Sequence, residues 1–384
     1  MNGYFDFNAT TPLSAAAREA WLLASERHWH NPSSLYREAG MTKRKLEEAR
    51  ERLAVLLGCE PERIVFTSGA TESNNALFAF LSSKLDADKQ VLSSALEHPS
   101  VREPLQQEFV NRVSLARTTS LGELDMEDFE RQIVRPEIAF ATVMAANNEC
   151  GLLYPWKKIA ELCLANEVPF HTDAAQWIGK LPTHELGRCD YVTGCAHKFG
   201  GPKGVGFLMM RDETEALAFL RGGPQEEGRR AGTENYPGIE AMVAALETLT
   251  PVSSEIADEQ ARLRDSFERG LMELFDGLRV IGAGAERLWN TSMFVLPRHD
   301  NRKWLARLSQ RGFAVSTGSA CSAGHDGSSV VLAALGASDA EMRRVIRVSG
   351  GWETSAEDWR ALLQAIKEVG QEMDGLPDHV SLAL

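Results

Sequence analysis

The chain has 384 residues, of which 43% are hydrophobic and 25% are charged. This balance is typical of a globular protein and excludes a disordered or collagen-like chain. Its 41 basic and 54 acidic side chains give a net charge of −13. That charge argues against wrapping a nucleic-acid backbone, but not against binding small phosphates.

No run approaches the roughly 20 consecutive apolar residues that span a bilayer, and residues 1–6 lack the basic and apolar regions of a secretory signal. The six cysteines form no CxxC pair, lying at positions 59, 150, 163, 189, 195 and 321. This usage is typical of reduced thiols in a cytosolic protein. We therefore expect a cytoplasmic protein with no membrane partner.

Amphipathic helical patterns alternate with short β-type runs in the first part of the chain. Helices are predicted at about 14–29, 42–57, 71–86, 99–110, 125–134 and 155–166. Strands are predicted at 64–66, 90–92, 112–116, 138–143 and 168–170. This alternation predicts right-handed crossovers and a mainly parallel sheet that is covered on both faces.

The pattern changes after about residue 186. Strands are predicted at 191–193, 204–209, 279–281, 292–296 and 344–348, the first two around a glycine-rich turn. Helices are predicted at 237–249, 254–275, 301–311, 328–335 and 355–373. Loop chemistry at 250–254 predicts a boundary near residue 250, between a large α/β domain and a smaller α+β domain.

Two strand-to-helix turns are candidate ligand sites. The small residues of 66–72 leave N–H groups exposed at a helix N-terminus, which favours an anion, although a plain cap by Ser68 or Thr71 has the same composition. In 170–176, Asp173 lies near the carboxyl end of a strand, where open α/β sheets bind ligands. A carboxylate there can hold a proton on a ring nitrogen, but a solvated loop aspartate is the commoner case.

The third candidate is Lys198, between an apolar strand and the glycine-rich turn. Desolvation by such flanks makes an amine usable for imine chemistry, although a single lysine is usually an exposed one. A phosphate-type turn, a strand-end aspartate and a glycine-flanked lysine follow one another in a single α/β domain. Pyridoxal 5'-phosphate needs these three groups: a phosphate cradle, a partner for its ring nitrogen and a Schiff-base lysine.

In these motifs the chain resembles the group I cysteine desulfurases of the class V aminotransferase family, which are pyridoxal-phosphate enzymes of fold type I. The likeness runs from residue 4 to about residue 359 and includes 4–12, 67–74, 97–98, 147–151, 171–176, 197–198, 201–204, 230–235, 316–322 and 346–349. It implies a large domain at 14–250 with a mainly parallel seven-stranded sheet. It also implies a smaller α+β domain, built from 1–13 and 251–384, that carries a catalytic cysteine loop.

The resemblance implies a role for each matching residue. Lys198 would bind the cofactor and later move the α-proton of the substrate. Asp173 would pair with the ring nitrogen, and Gln176 would hydrogen-bond the phenolic oxygen. His98 would stack on the ring and assist acid–base steps. Asn148 and Arg347 would hold the cysteine substrate, the arginine through its planar fork.

The phosphate would be bound by the backbone of Ala70 and Thr71, by the Thr71 hydroxyl and by His197. Thr233 would reach the phosphate of the other subunit, which implies a homodimer with shared sites. Cys195 stands where the family usually has a serine, and a thiol is a weak hydrogen-bond donor. This change puts one phosphate contact, and with it the cofactor affinity, in question.

Cys321 lies in a run of small residues with glycine on both sides, which is typical of a loop. The resemblance makes it the thiolate that attacks the substrate's sulfur, keeps a persulfide for an acceptor protein and leaves alanine. An inert buried cysteine is the alternative. Glu227 replaces an arginine that is common in the family, 324–327 lacks the usual proline, and Gly351-Trp352 replaces Gly-Arg, so partner docking and acceptor choice stay open.

Two rival functions remain. The first is a pyridoxal-phosphate lyase acting on selenocysteine or cysteine sulfinate, or an aminotransferase, and the second is a scaffold without turnover. The acceptor is also open among iron–sulfur cluster assembly, tRNA thiolation and DNA sulfur modification. We expect no metal site, because no histidine and cysteine cluster offers four ligands at tetrahedral spacing, and no direct binding of nucleic acid.

Overall fold

A computed structural model describes residues 3–211, 220–250, 253–317 and 329–375. In this part of the chain the strands are β1 (Gly3–Tyr4), β2 (Ile64–Thr67), β3 (Gln90–Ser94), β4 (Val113–Ala116), β5 (Ile138–Thr142), β6 (Phe170–Asp173), β7 (Tyr191–Cys195), β8 (Gly206–Met209), β9 (Arg279–Val280), β10 (Thr291–Val295), β11 (Phe313–Ala314) and β12 (Val345–Ser349). The α-helices are α1 (Ala15–Arg27), α2 (Arg37–Leu57), α3 (Ala70–Lys84), α4 (Pro99–Glu108), α5 (Met126–Ile133), α6 (Trp156–Ala165), α7 (Tyr236–Leu249), α8 (Ser253–Leu274), α9 (Asn301–Gln310), α10 (Val330–Ala334), α11 (Asp339–Met342) and α12 (Ala356–Asp374).

Seven strands form one sheet in the order β2-β8-β7-β6-β5-β3-β4. All neighbours pair in parallel except β8, which is antiparallel to both β2 and β7. The central strands β6, β7 and β8 are buried at every residue, as expected for a sheet covered on both faces. The predicted fold class, a mainly parallel seven-stranded sheet, is confirmed.

A second, smaller sheet has the order β12-β10-β9 and is antiparallel. It packs against α8, α9 and α12 through a separate apolar cluster, which includes Phe267 and Trp359. The chain's first residues belong here: Phe5 is 1% exposed in the same cluster, and β1 pairs with β11. The N-terminal segment therefore packs with the C-terminal part before it reaches the large sheet.

The predicted elements differ from the observed ones mainly where local signals are weak. α2 was predicted to begin near residue 42, but it begins at Arg37. This start was missed because the N-cap residue, Tyr36, has no side chain that forms a capping hydrogen bond. The two-residue strands β1 and β11 are too short to show a periodicity. No helix in the described ranges is both long and apolar enough to cross a membrane.

The topology brings several strand ends to one edge of the large sheet. The carboxyl ends of β2, β6 and β7 and the start of β8 all lie there, since β8 alone runs the other way. The turn before α3 and the segment before α4 follow β2 and β3 at this same edge. The predicted site segments are thus neighbours in space, although the end of β2 at Thr67 and the start of β8 at Gly206 are 139 residues apart in the sequence.

Candidate functional site

A cavity of about 470 Å³ opens at this edge of the sheet. Nine of the predicted site residues line it: Ala70, Thr71, His98, Asn148, Asp173, Gln176, Cys195, His197 and Lys198. They come from separate segments whose order in the sequence gives no direct indication of their proximity. The structure therefore brings these nine residues together around one cavity.

The anion end of the cavity is the turn between β2 and α3. Gly69 has a φ of 152°, outside the range that other residues readily adopt. Gly206 of β8 lies against it, and a Cβ there would be 2.6 Å from the Gly69 Cα. These two glycines let the strand and the turn approach closely, which leaves the N-terminus of the 15-residue helix α3 facing the cavity.

The charge at this end is balanced by side chains. Glu72 of α3 accepts a hydrogen bond from the Ser68 N–H at 2.8 Å and pairs with Arg230, also at 2.8 Å. Burial lowers the pKa of His197 to about 4, helped by the charge of Lys198. His197 is therefore neutral at pH 7 and contributes hydrogen bonds rather than charge, and its Nδ1 lies 3.2 Å from Thr10 Oγ1.

Cys195 ends β7 beside the same turn. Burial raises the pKa of its thiol to about 11, although the charge of Lys198 and the nearby Ala70 backbone N–H act in the opposite direction. The residue is 3% exposed. It is thus a protonated thiol beside the start of α3, at the position where we expected a weakened phosphate contact.

Asp173 is the last residue of β6 and is 6% exposed. Its Oδ1 accepts from the Ala175 N–H at 3.0 Å, and its Oδ2 accepts from Asn74 Nδ2 at 3.1 Å. Asn74 also donates to Ser100 Oγ at 3.0 Å. The carboxylate is therefore fixed in a buried position, which suits a partner for a protonated ring nitrogen.

His98 precedes α4 and is oriented by the same network. The Ser100 N–H donates to His98 Nδ1 at 3.1 Å, so the proton of the neutral ring lies on Nε2. Burial lowers the pKa of His98, and the charge of Lys198 acts in the same direction, whereas Asp173 opposes it. A neutral imidazole with a fixed tautomer can stack on a ring or exchange a proton at Nε2.

Lys198 ends the short 3-10 helix that follows β7. Its Nζ donates to the backbone oxygens of Asn8, at 2.5 Å, and Ala9, at 2.8 Å. Asn8 is 1% exposed and also bonds Asn148 and Thr291. The N-terminal segment thus holds both the lysine and a predicted substrate residue, a positioning role for Asn8 that the sequence analysis missed.

Arg347 lies on β12 and is 2% exposed. Its Nη1 donates to the Asn148 backbone oxygen at 3.0 Å, and its Nη2 donates to Asp6 Oδ1 at 2.6 Å. It contacts Asn148, which lines the cavity, but it does not line the cavity itself. The structure therefore brings the two predicted substrate residues together at the side of the cavity formed by the N-terminal segment.

Two predicted residues remain, Thr233 and Cys321, and Thr233 does not line this cavity. Thr233 is exposed and borders a smaller cavity of about 120 Å³, which shares Ser68 and Gly204 with the larger one. Cys321 lies outside the described residues. The described residues on either side of its segment are bonded near the site: Ser316 pairs with the Arg347 backbone, and Ser329 Oγ donates to Glu149 Oε2 at 2.5 Å.

His171 lies in β6 beneath the site and is completely buried. Its ring nitrogens lie 2.8 Å from Thr142 Oγ1 and 3.0 Å from Thr193 Oγ1, and burial lowers its pKa to about 3. In the unfolded chain the His171 imidazole takes up a proton near pH 6.5, whereas in the folded chain it stays neutral. Folding stability therefore falls as the pH falls below 6.5 towards 3. Between pH 6.5 and 4.5 we expect His171 to remove about 2 kcal/mol of the free energy of unfolding.

This expectation is tested by urea unfolding of the wild type and of His171→Asn at both pH values. The variant should lose about 2 kcal/mol less than the wild type between them. Other groups with shifted pKa values, such as Glu97, are common to both proteins and cancel in the comparison. Equal losses in the two proteins would contradict the assignment.

The residues of the cavity fit pyridoxal phosphate. The cavity offers a helix N-terminus for a phosphate, a buried carboxylate for a ring nitrogen and a lysine amine for an aldehyde. Gln176 adds an amide between these groups, with Nε2 2.9 Å from the Asn8 oxygen. No group of three or more metal-binding side chains occurs in the part of the chain that the structure describes.

Comparisons with known proteins show the family and the fold of the chain. The family model for class-V aminotransferases matches residues 3–362. A cysteine desulfurase IscS of Dictyoglomus turgidum is 33% identical over 96% of this chain and 95% of its own. A solved NifS-like protein superposes with a TM-score of 0.88 at 30% identity, over 97% of this chain and 100% of that one. SspA, solved in complex with cysteine, has a TM-score of 0.79 at 31% identity, over 90% and 98%.

Proposed function

Because the chain belongs to the class-V aminotransferase family, we propose that it is a cysteine desulfurase that uses pyridoxal 5'-phosphate to convert L-cysteine to L-alanine. The observation that carries this proposal is the convergence of Lys198, Asp173 and the start of α3 on one cavity. The relative named cysteine desulfurase and the neighbour solved with cysteine support the choice of substrate.

Bound pyridoxal phosphate supplies an aldehyde for amines and a sink for electrons from the substrate's carbon skeleton. In our proposal Lys198 binds the cofactor and moves the α-proton of the substrate through Nζ. Asp173 would keep the ring nitrogen protonated, and Gln176 would donate to the phenolic oxygen. His98 would stack on the ring and exchange protons at Nε2.

The phosphate is assigned to the backbone of Ala70 and Thr71, the Thr71 hydroxyl and His197, with Cys195 at the edge of the turn. The neutral state of His197 supports a role as a hydrogen-bond donor. Asn148 and Arg347 are assigned to the substrate, and their mutual contact supports a joint site.

The proposed transfer of sulfur from the substrate to Cys321 needs no external oxidant. The Cys321 thiolate attacks the sulfur of the bound cysteine, a sulfur–sulfur bond forms and the carbon–sulfur bond breaks. The carbon keeps the electron pair of the broken bond and takes up a proton, which gives alanine. The persulfide then remains on Cys321 for an acceptor protein.

The same proposal includes several finer statements. We propose a cytoplasmic homodimer in which Thr233 reaches the partner's phosphate, and its exposed position beside the cavity supports this role. We propose a large domain at 14–250 and a smaller one formed by 1–13 and 251–384. Iron–sulfur cluster assembly is the proposed destination of the sulfur, and the net charge of −13 favours a basic docking surface on the acceptor.

The proposal is tested on the wild-type protein loaded with pyridoxal phosphate. Reduction with borohydride followed by peptide mapping should place the cofactor on Lys198. L-cysteine should then yield alanine, and one persulfide per chain in the absence of an acceptor. Turnover of cysteine sulfinate or selenocysteine without a protein persulfide would support the lyase instead, and an unlabelled Lys198 would contradict the proposal altogether.

A further inference from the structure

A second lysine, Lys180, is buried behind the cavity. It is 1% exposed, and its Nζ donates to Gln176 Oε1 at 2.7 Å and to the Gln176 backbone oxygen at 3.3 Å. Within the described ranges no carboxylate lies at ion-pair distance from it. A buried ammonium without a counter-charge is costly, so its location calls for a function.

The contact determines how the Gln176 amide is turned. The Asn8 backbone oxygen can only accept and the ammonium form of Lys180 can only donate, so the amide presents its oxygen to Lys180 and its nitrogen to the other side. On that side Nε2 donates one hydrogen to the Asn8 oxygen at 2.9 Å. Its second hydrogen is available to the cavity, which Gln176 lines and Lys180 does not.

We propose that Lys180 is a positioning residue for the cofactor: it holds the Gln176 amide with an N–H towards the cavity and adds a positive charge behind it. This inference rests on the proposed function, since it concerns a phenolic oxygen of pyridoxal phosphate as the acceptor of that N–H. A reversed amide would place two donors against each other at Lys180 and an oxygen against the anionic ligand.

The charges around Lys180 agree with this role. Burial lowers its pKa to about 7, and the charges of Lys198 and Arg347 act in the same direction. These are the groups that influence it most. An anionic ligand in the cavity favours the ammonium form, so cofactor binding and the charge on Lys180 support each other.

The inference is tested by a double-mutant cycle on the protein with pyridoxal phosphate. In Lys180→Met we expect the dissociation constant of the cofactor to rise about tenfold, the size of one weakened hydrogen bond to a charged group. The pH midpoint of the bound cofactor's absorbance change should rise by about one pH unit, because the substitution removes a buried cation near the cofactor. In a Gln176→Ala background the same change should alter the affinity by less than about twofold.

Two further variants complete the test. Lys180→Arg keeps the charge and the donors and should bind the cofactor within about threefold of the wild type; it also covers the case in which the methionine variant does not fold. Lys158→Met, at an exposed position of α6, should change neither measurement. The assignment is overturned if Lys180→Met binds the cofactor as the wild type does, or if its effect is equally large without Gln176. A wild type that shows no cofactor absorbance would instead overturn the proposed function itself.

Discussion

Replacing Cys321 with serine is expected to reduce the formation of alanine from L-cysteine at least ~100-fold, because a hydroxyl is a far weaker nucleophile at neutral pH than a thiolate. Binding of pyridoxal phosphate should be unchanged. The measurement pairs the rate of alanine release with the amount of protein persulfide after exposure to L-cysteine.

The other cysteines explain why this variant should be decisive. Burial raises the pKa of Cys150 and Cys163 to about 12 and that of Cys195 to about 11, and it raises the pKa of Cys189 as well. These thiols stay protonated at neutral pH and are closed to solvent. In the described part of the chain only Cys59 is partly exposed among the cysteines, and it does not line the cavity.

Cys59→Ser is therefore the matched control and should keep the wild-type rate. Full turnover in Cys321→Ser would exclude the Cys321 thiol as the nucleophile and favour a lyase that needs no protein nucleophile. A persulfide mapped to Cys195 would contradict the assignment in another way, because that sulfur lies at the cavity wall.

The parts of the site that the sequence reveals are those with local chemistry. Asp173 follows an apolar strand, Lys198 precedes a glycine-rich turn, and Gly69 opens a helix, so each can be placed at a strand end from its neighbours alone. Because such ends meet at one edge of a parallel sheet, their convergence could be predicted as well. The structure confirms the sheet on which this inference depends.

The positioning residues could not be predicted from local patterns. Asn8 reaches Lys198 across 190 residues. Residues 4–12 belong to the family likeness, but no local pattern around Asn8 indicates that it contacts Lys198. Lys180 lies in a turn between Ile178 and Leu181, and a lysine in a turn is usually solvated. Its burial follows from tertiary packing: Trp289 donates to its backbone oxygen at 2.9 Å from 109 residues away.

Replacing Lys198 with alanine has the second large expected effect. The variant loses the amine that binds the cofactor covalently and the base that moves the α-proton. General acid–base catalysis alone contributes about 10²–10⁴-fold, so we expect alanine formation to fall at least ~1000-fold. Borohydride should no longer attach the cofactor to the protein, as mass spectrometry of the reduced protein can show.

The contacts of Lys198 indicate that Lys198→Ala should change activity without disrupting the fold. Its Nζ donates to the Asn8 and Ala9 backbone oxygens, and backbone carbonyls that lose one donor near a solvent-accessible cavity can bond water instead. The fold should therefore tolerate the change, and the unfolding transition should move little. Lys158→Ala on α6 removes an exposed lysine and serves as the control. Two results would contradict the role of Lys198: a Lys198→Ala variant that keeps more than a tenth of the wild-type rate, or borohydride labelling of another lysine in that variant. Either result would mean that a different amine binds the cofactor. Lys180, buried behind Gln176, would be the first to examine.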